Sequence, residues 1–220
     1  MRSTQHHAQL CTIPHCHLER SEAQPNGVEK LALSEVERTL RSALNPMVYR
    51  FQFEQWVPAR LESVFRFFAD PNNLPRLMPP WMQVRIETAN IVPPDTGTGD
   101  HFAGIGSVLT ASYRTTPLLP FRITSEARIT DFGLNDYFED IQGKGPFKTW
   151  HHRHAFLREV RNGVDGTVVR DEIEYDPGFG PLGGVGNSLF IAPQMRRTFD
   201  HRQKTLEEII RRGELDAPAR

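Results

Sequence analysis

The sequence predicts an α+β domain in which a curved, seven-stranded antiparallel sheet wraps around a long C-terminal helix, with two short helices after the first strand. Three observations point there. Strand-like alternation dominates from residue 82 to residue 175 with no helix-length segment between strands, so hairpins rather than parallel crossovers connect them. A short amphipathic segment follows the first strand, with Leu61, Val64, Phe65 and Phe68 on one helical face. A longer one ends the chain, with Met195, Phe199, Leu206, Ile209 and Ile210 as its apolar stripe.

Residues 1–45 read as a polar, histidine-rich leader, expected to be mostly disordered. One short helix is expected at 34–44, where Ser34 and Glu37 fit a capping box and Asn45-Pro46 stops the pattern. The domain proper spans 46–212. Its first strand alternates Tyr49, Phe51 and Phe53 with Arg50, Gln52 and Glu54, and Pro58 ends it. The first helix closes at Asp70-Pro71, and a second helical turn covers Asn72 to Met78 before Pro79-Pro80. Six strands are expected next, over 82–89, 106–114, 121–130, 137–142, 147–160 and 167–175. Between 121 and 130 the alternation is regular: Phe121, Ile123, Ser125, Ala127 and Ile129 oppose Arg122, Thr124, Glu126, Arg128 and Thr130, so one face is dry and the other wet. A Gly/Pro-rich loop is expected over 177–186, and Pro193 belongs in the first turn of the terminal helix or kinks it. Arg196, Arg197, Arg202, Lys204, Glu207 and Glu208 are placed mostly toward solvent, and 213–220 is expected to fray.

Composition narrows the function. The net charge is −1 over 220 residues, which argues against a nucleic-acid partner that would need a basic face. No stretch approaches the ~18 apolar residues of a membrane span, and the N-terminus lacks the apolar core of a secretory signal. Cys11 and Cys16 are too few for a disulfide framework, so a cytoplasmic protein is expected. Asp200, Glu207 and Glu208 interrupt the basic residues of the terminal helix, so membrane contact is at most peripheral.

A sheet bent around a single long helix leaves a hollow between them, lined by apolar side chains with a few polar groups. On a strand, Trp150, His152, His154, Phe156 and Arg158 share one face. With Gly163–Gly166 as the hairpin loop, His154 pairs with Tyr175, Phe156 with Ile173 and Arg158 with Asp171. His152 and His154 then face the hollow. There they could hydrogen-bond a ligand, be satisfied within the sheet by Tyr175 and carboxylates, or move protons. Two histidines at i, i+2 can share a metal, but no third ligand is evident nearby, so neither metal nor cofactor is expected. His6, His7, Cys11, His15, Cys16 and His17 fit no familiar zinc spacing. Gly178-Phe179-Gly180-Pro181-Leu182-Gly183 matches a dinucleotide fingerprint in letters only, because no βαβ unit surrounds it.

Several stretches together resemble the START-like SRPBCC superfamily and its helix-grip fold. They are Phe67-Phe68-Ala69-Asp70-Pro71, Leu77-Met78-Pro79-Pro80-Trp81, Gly145 to Trp150, His152-x-His154-x-Phe156, Asp171 to Tyr175 and Phe199-x-x-Arg202. The likeness is strongest to bacterial ligand-binding domains grouped with polyketide cyclase/dehydrase and coenzyme-Q-binding START-like proteins, and it covers about Val48 to Arg212. It implies binding or transport of a small hydrophobic molecule (a lipid, a quinone or a polyketide-like aromatic). Trp150, Phe156, Phe121, Ile123, Met195 and Phe199 would supply apolar walls, Trp81 would close the mouth or anchor the core, and His152, His154 and Tyr175 would orient the polar end. The alternatives are a cyclase- or aromatase-like enzyme that uses the same histidines, or a module that docks a protein partner. No residue is assigned as catalytic.

Overall fold

The computed structural model describes residues 47–95, 102–116 and 121–216. The expected leader and its helix at 34–44 lie outside the described residues.

Strand β1 (Tyr49–Val57) leads into helix α1 (Leu61–Ala69), a 3₁₀ turn (Pro71–Asn73), the single turn α2 (Leu74–Leu77) and a second 3₁₀ turn (Pro80–Met82). Strands β2 (Arg85–Asn90), β3 (Val108–Tyr113), β4 (Ile123–Gly133), β5 (Tyr137–Lys144), β6 (Thr149–Arg161) and β7 (Val164–Asp176) follow. The chain ends in α3 (Gly180–Gly186), a π-helical stretch (Asn187–Ile191) and the 20-residue α4 (Ala192–Arg211). The sheet order is β1-β7-β6-β5-β4-β3-β2, with every neighbour antiparallel. This is the α+β, seven-stranded arrangement with a long C-terminal helix that the sequence predicts, and it is a helix-grip fold.

Alternation places the core. In β1, Tyr49, Phe51, Phe53 and Val57 turn inward. Paired against β7, they meet Tyr175, Ile173, Asp171 and Thr167 in turn. The terminal helix is fastened to β1 by Gln55 Nε2, which donates to Gln203 O at 3.0 Å, and by Gln203 Nε2, which donates to Glu54 O at 3.2 Å. Two apolar clusters result. One gathers Phe65, Phe67, Phe102, Phe138, Phe156 and Val169 with Leu206, Ile209 and Leu215 of the C-terminal end. The other joins Ile173, Tyr175 and Phe199 to Phe51, Phe53, Trp150 and Met195.

Three expectations are corrected. The β6–β7 hairpin turns at Asn162-Gly163, with φ of 51° and 77°, as a two-residue connection needs. Trp150 therefore opposes Tyr175, His152 opposes Ile173, and His154 opposes Asp171, four residues from the expected register. Gly166 is a strand residue rather than part of the loop. A Cβ there would stand 2.6 Å from the Trp56 indole, so only glycine admits that ring against the strand. Arg158 accordingly pairs with Asp165, at 3.0 Å, and not with Asp171.

The expected loop at 177–186 becomes helical from Gly180 onward. Pro193 has no N–H to give the Leu189 carbonyl, and just before it the helix widens, Ala192 N bonding Asn187 O. The expected fraying does not begin at residue 213. Leu215 is buried in the first cluster, Arg60 N donates to Asp216 O at 3.1 Å, and Asp216 N donates to Ser63 Oγ at 3.0 Å.

Candidate functional site

Between the two apolar clusters lies a buried polar one. The sheet register builds it: Asp140 of β5 and His152 of β6 are direct cross-strand partners, as are His154 and Asp171 of β7. Cross-strand partners and i, i+2 neighbours share a face, so all four point inward. Arg202 of α4 completes the group from the helix side. It lies three residues after Phe199 and four before Leu206, so it falls within the buried stripe instead of facing solvent as expected.

The distances describe a closely balanced set of charges. His152 Nε2 lies 3.0 Å from Asp171 Oδ1, and His154 Nδ1 lies 2.7 Å from the same oxygen. The second contact is not a hydrogen bond, so His154 Nδ1 is buried without a hydrogen-bond partner among the described residues. Arg202 Nη2 stands 3.5 Å from Asp171 Oδ1, with its guanidinium over the rings of Phe199 (4.6 Å) and Phe68 (5.8 Å). His152 Nδ1 is 3.7 Å from Asp140 Oδ2. The imidazoles lie side by side with centroids 3.9 Å apart, and Phe138, Trp150 and Phe199 wall them in.

Burial sets the protonation states. It lowers the pKa of both imidazoles, and Asp171 offsets this only in part. Burial alone would raise Asp171, but Arg202, His154 and His152 outweigh it and hold that carboxyl well below the usual carboxylate range. Asp140 moves upward because it is desolvated, despite His152 and the hydrogen bond from Trp150. At neutral pH the cluster thus contains neutral imidazoles, an ionised Asp171 and Arg202⁺.

The structure sorts the expected site residues. Trp150, His152, His154, Tyr175 and Phe199 are brought together, and Met195 packs beside them. Phe156 instead belongs to the first core, against Phe65, Phe68 and Phe138. Tyr175 is turned away from His154, and its hydroxyl donates to Asn187 Oδ1 at 2.5 Å. Ile123 lies at the start of β4 opposite Tyr113, and Trp81 is half-buried in the turn after α2. Phe121 stands outside the group, 56 % exposed and ahead of β4. Asp140, Asp171 and Arg202 are the members that sequence reasoning missed. For Arg202 the i+3, i−4 spacing within the apolar stripe was an available signal; for the two acids only the register could place them.

Between sheet and helix, where a hollow is expected, the space beside the polar cluster is small. Beside Phe199, Asp171 and Arg202 the gap measures about 10 Å³, room for one water at most. A larger hollow, about 370 Å³, lies among Pro93, Pro94, Ile105, Phe132 and Leu134, and none of the expected site residues lines it.

No protein-family model matches the chain, and no curated protein does. Solved structures do resemble it. TTHA0849 from Thermus thermophilus is 17% identical over 73% of this chain and 95% of its own, with a TM-score of 0.48. Protein CV1439 from Chromobacterium violaceum is 11% identical over 72% and 96%, with a TM-score of 0.49. Ginseng major latex-like protein 151 from Panax ginseng is 12% identical over 68% and 95%, with a TM-score of 0.44.

Proposed function

We propose that the protein binds a small, largely apolar molecule on the half-covered part of its concave face, with the molecule's polar end toward Trp150, Asp140 and His152. The observation that supports this is uneven cover on one continuous face. Inward residues of β6 and β7 are buried, including His152, His154, Ile173 and Tyr175. Across the sheet, Asp140 and Gln142 lead through Ala127 to Leu109, and on the same face lie Ile123 and Tyr113. These last four stay only half-buried. An apolar strip on the concave side, bordered by a desolvated carboxyl and a neutral imidazole, suits a ligand with one polar group.

The small gap beside Phe199, Asp171 and Arg202 supports placing the ligand on the strip rather than beneath α4. The ligand's chemical family (lipid, quinone or polyketide-like aromatic) is left to experiment. Mass spectrometry of an organic extract of the purified protein should reveal a co-purifying apolar molecule, and a fluorescent apolar probe should bind saturably and be displaced by it. Ala127→Phe, which fills the strip, should weaken probe binding about tenfold or more without unfolding the protein. If the folded protein shows no saturable binding, or Ala127→Phe leaves it unchanged, the strip is not the site.

A further inference from the structure

We propose that Asp140, His152 and His154 form a binding site for a divalent transition metal of the zinc class, with Asp171 as the carboxylate behind both imidazoles. The three side chains share the inner face of β5 and β6, and one donor atom from each lies within 4.8 Å of the others. The donors are two nitrogens and one carboxylate, a set that suits Zn²⁺, Co²⁺ or Fe²⁺ better than the oxygen-seeking Ca²⁺ or Mg²⁺.

Asp171 supplies the second observation. A histidine that ligates a metal ordinarily gives its other ring N–H to a carboxylate, which fixes the tautomer. Here one oxygen of Asp171 faces His152 Nε2 at 3.0 Å and His154 Nδ1 at 2.7 Å. With protons on those two nitrogens, His152 Nδ1 and His154 Nε2 carry the free lone pairs. His152 Nδ1 lies 3.7 Å from Asp140 Oδ2, too far for a hydrogen bond. Two ligands on one tetrahedral ion stand about 3.3 Å apart, so this pair needs only a small inward movement. Arg202 rests against Asp171 and balances its charge. Three protein ligands leave a fourth position for water or a bound molecule.

This site shares Asp140 and His152 with the polar border of the proposed strip but does not require an apolar ligand, and its test is separate. Full-length protein is stripped with a chelator and titrated with Co²⁺ alone. One equivalent should bind, with visible bands of a four-coordinate ion and no thiolate charge-transfer band, and Zn²⁺ should displace it. Asp140→Asn should weaken Co²⁺ binding about 100-fold or more. Should that variant fail to fold, the imidazole ¹⁵N resonances of His152 and His154 in the wild type decide, and both should move on addition of Zn²⁺. The proposal is overturned if Co²⁺ gives no such bands, if Asp140→Asn binds as tightly as wild type, or if those resonances stay in place. Equal binding by the variant would assign the ion to other residues, such as Cys11, Cys16 and their neighbouring histidines.

Discussion

At the scale of single residues, Asp171 governs the polar cluster because three groups converge on one of its oxygens. Removing Arg202 leaves that carboxylate buried without its full positive partner. Breaking such a pair costs about 3–5 kcal/mol, more than either charge contributed before. Arg202→Met should therefore lower the urea-unfolding free energy by about that amount, whereas a loss under about 1 kcal/mol would mean that Asp171 is solvated. The histidines make a separate, pH-dependent contribution. Their folded pKa values are lowered, so below the unfolded value of about 6.5 the unfolded chain takes up protons that the native state refuses. Stability should fall as pH drops from about 7 toward the folded pKa values, and His154→Gln should flatten that slope in thermal melts of metal-free protein. Asp171 is depressed further, so its contribution is lost only in stronger acid. Asp140, raised by burial, works in the opposite direction: its contribution is present in acid and lost as pH rises through its folded pKa.

At the scale of elements, local chemistry decided what the sequence could reveal. Alternation in β1 and β4, and the periodicity of α1 and α4, were legible because one face of each element is apolar. The β6–β7 register was not, although Asn162-Gly163 is a strong hairpin signal. Gly166 resembled a loop residue, and its reason for being in a strand, the Trp56 ring, comes from β1 more than a hundred residues earlier. That misplacement hid Asp171, while Asp140 is placed by the β5–β6 pairing, on which the sequence reading is silent. Likewise, Gly180, Gly183, Gly184 and Gly186 read as a loop, yet the segment is helical. Two substitutions separate these roles. Gly166→Ala must displace Trp56 or Val57 O, 2.5 Å from the added carbon, and should cost about 1–3 kcal/mol. Gly186 has helical dihedrals and open space around its missing side chain. Gly186→Ala should stabilise by about 0.5–1 kcal/mol, and thermal melts of the pair should shift in opposite directions.

At the scale of the whole molecule, the terminal helical run is unevenly held. Along α4, Thr198, Phe199, Arg202, Leu206 and Ile209 are buried, and residues 213–216 continue the attachment to α1. From 180 to 191 only Gly183 and Asn187 are buried, while Leu182 is 79 % and Phe190 70 % exposed. A segment with so few buried contacts opens at a lower free energy than the core. Hydrogen exchange should therefore run about 100-fold or more faster at 184–191 than at 202–210. The bond from Tyr175 to the Asn187 side chain is a buried tie on that segment, so Tyr175→Phe should speed exchange there and leave 202–210 unchanged. Equal protection along both stretches would show that the run opens only as a unit with the core. Trp150 lies 6.0 Å from both Tyr175 and His152, so an end that opens separately would give a ligand or an ion a route to the polar cluster without unfolding the sheet.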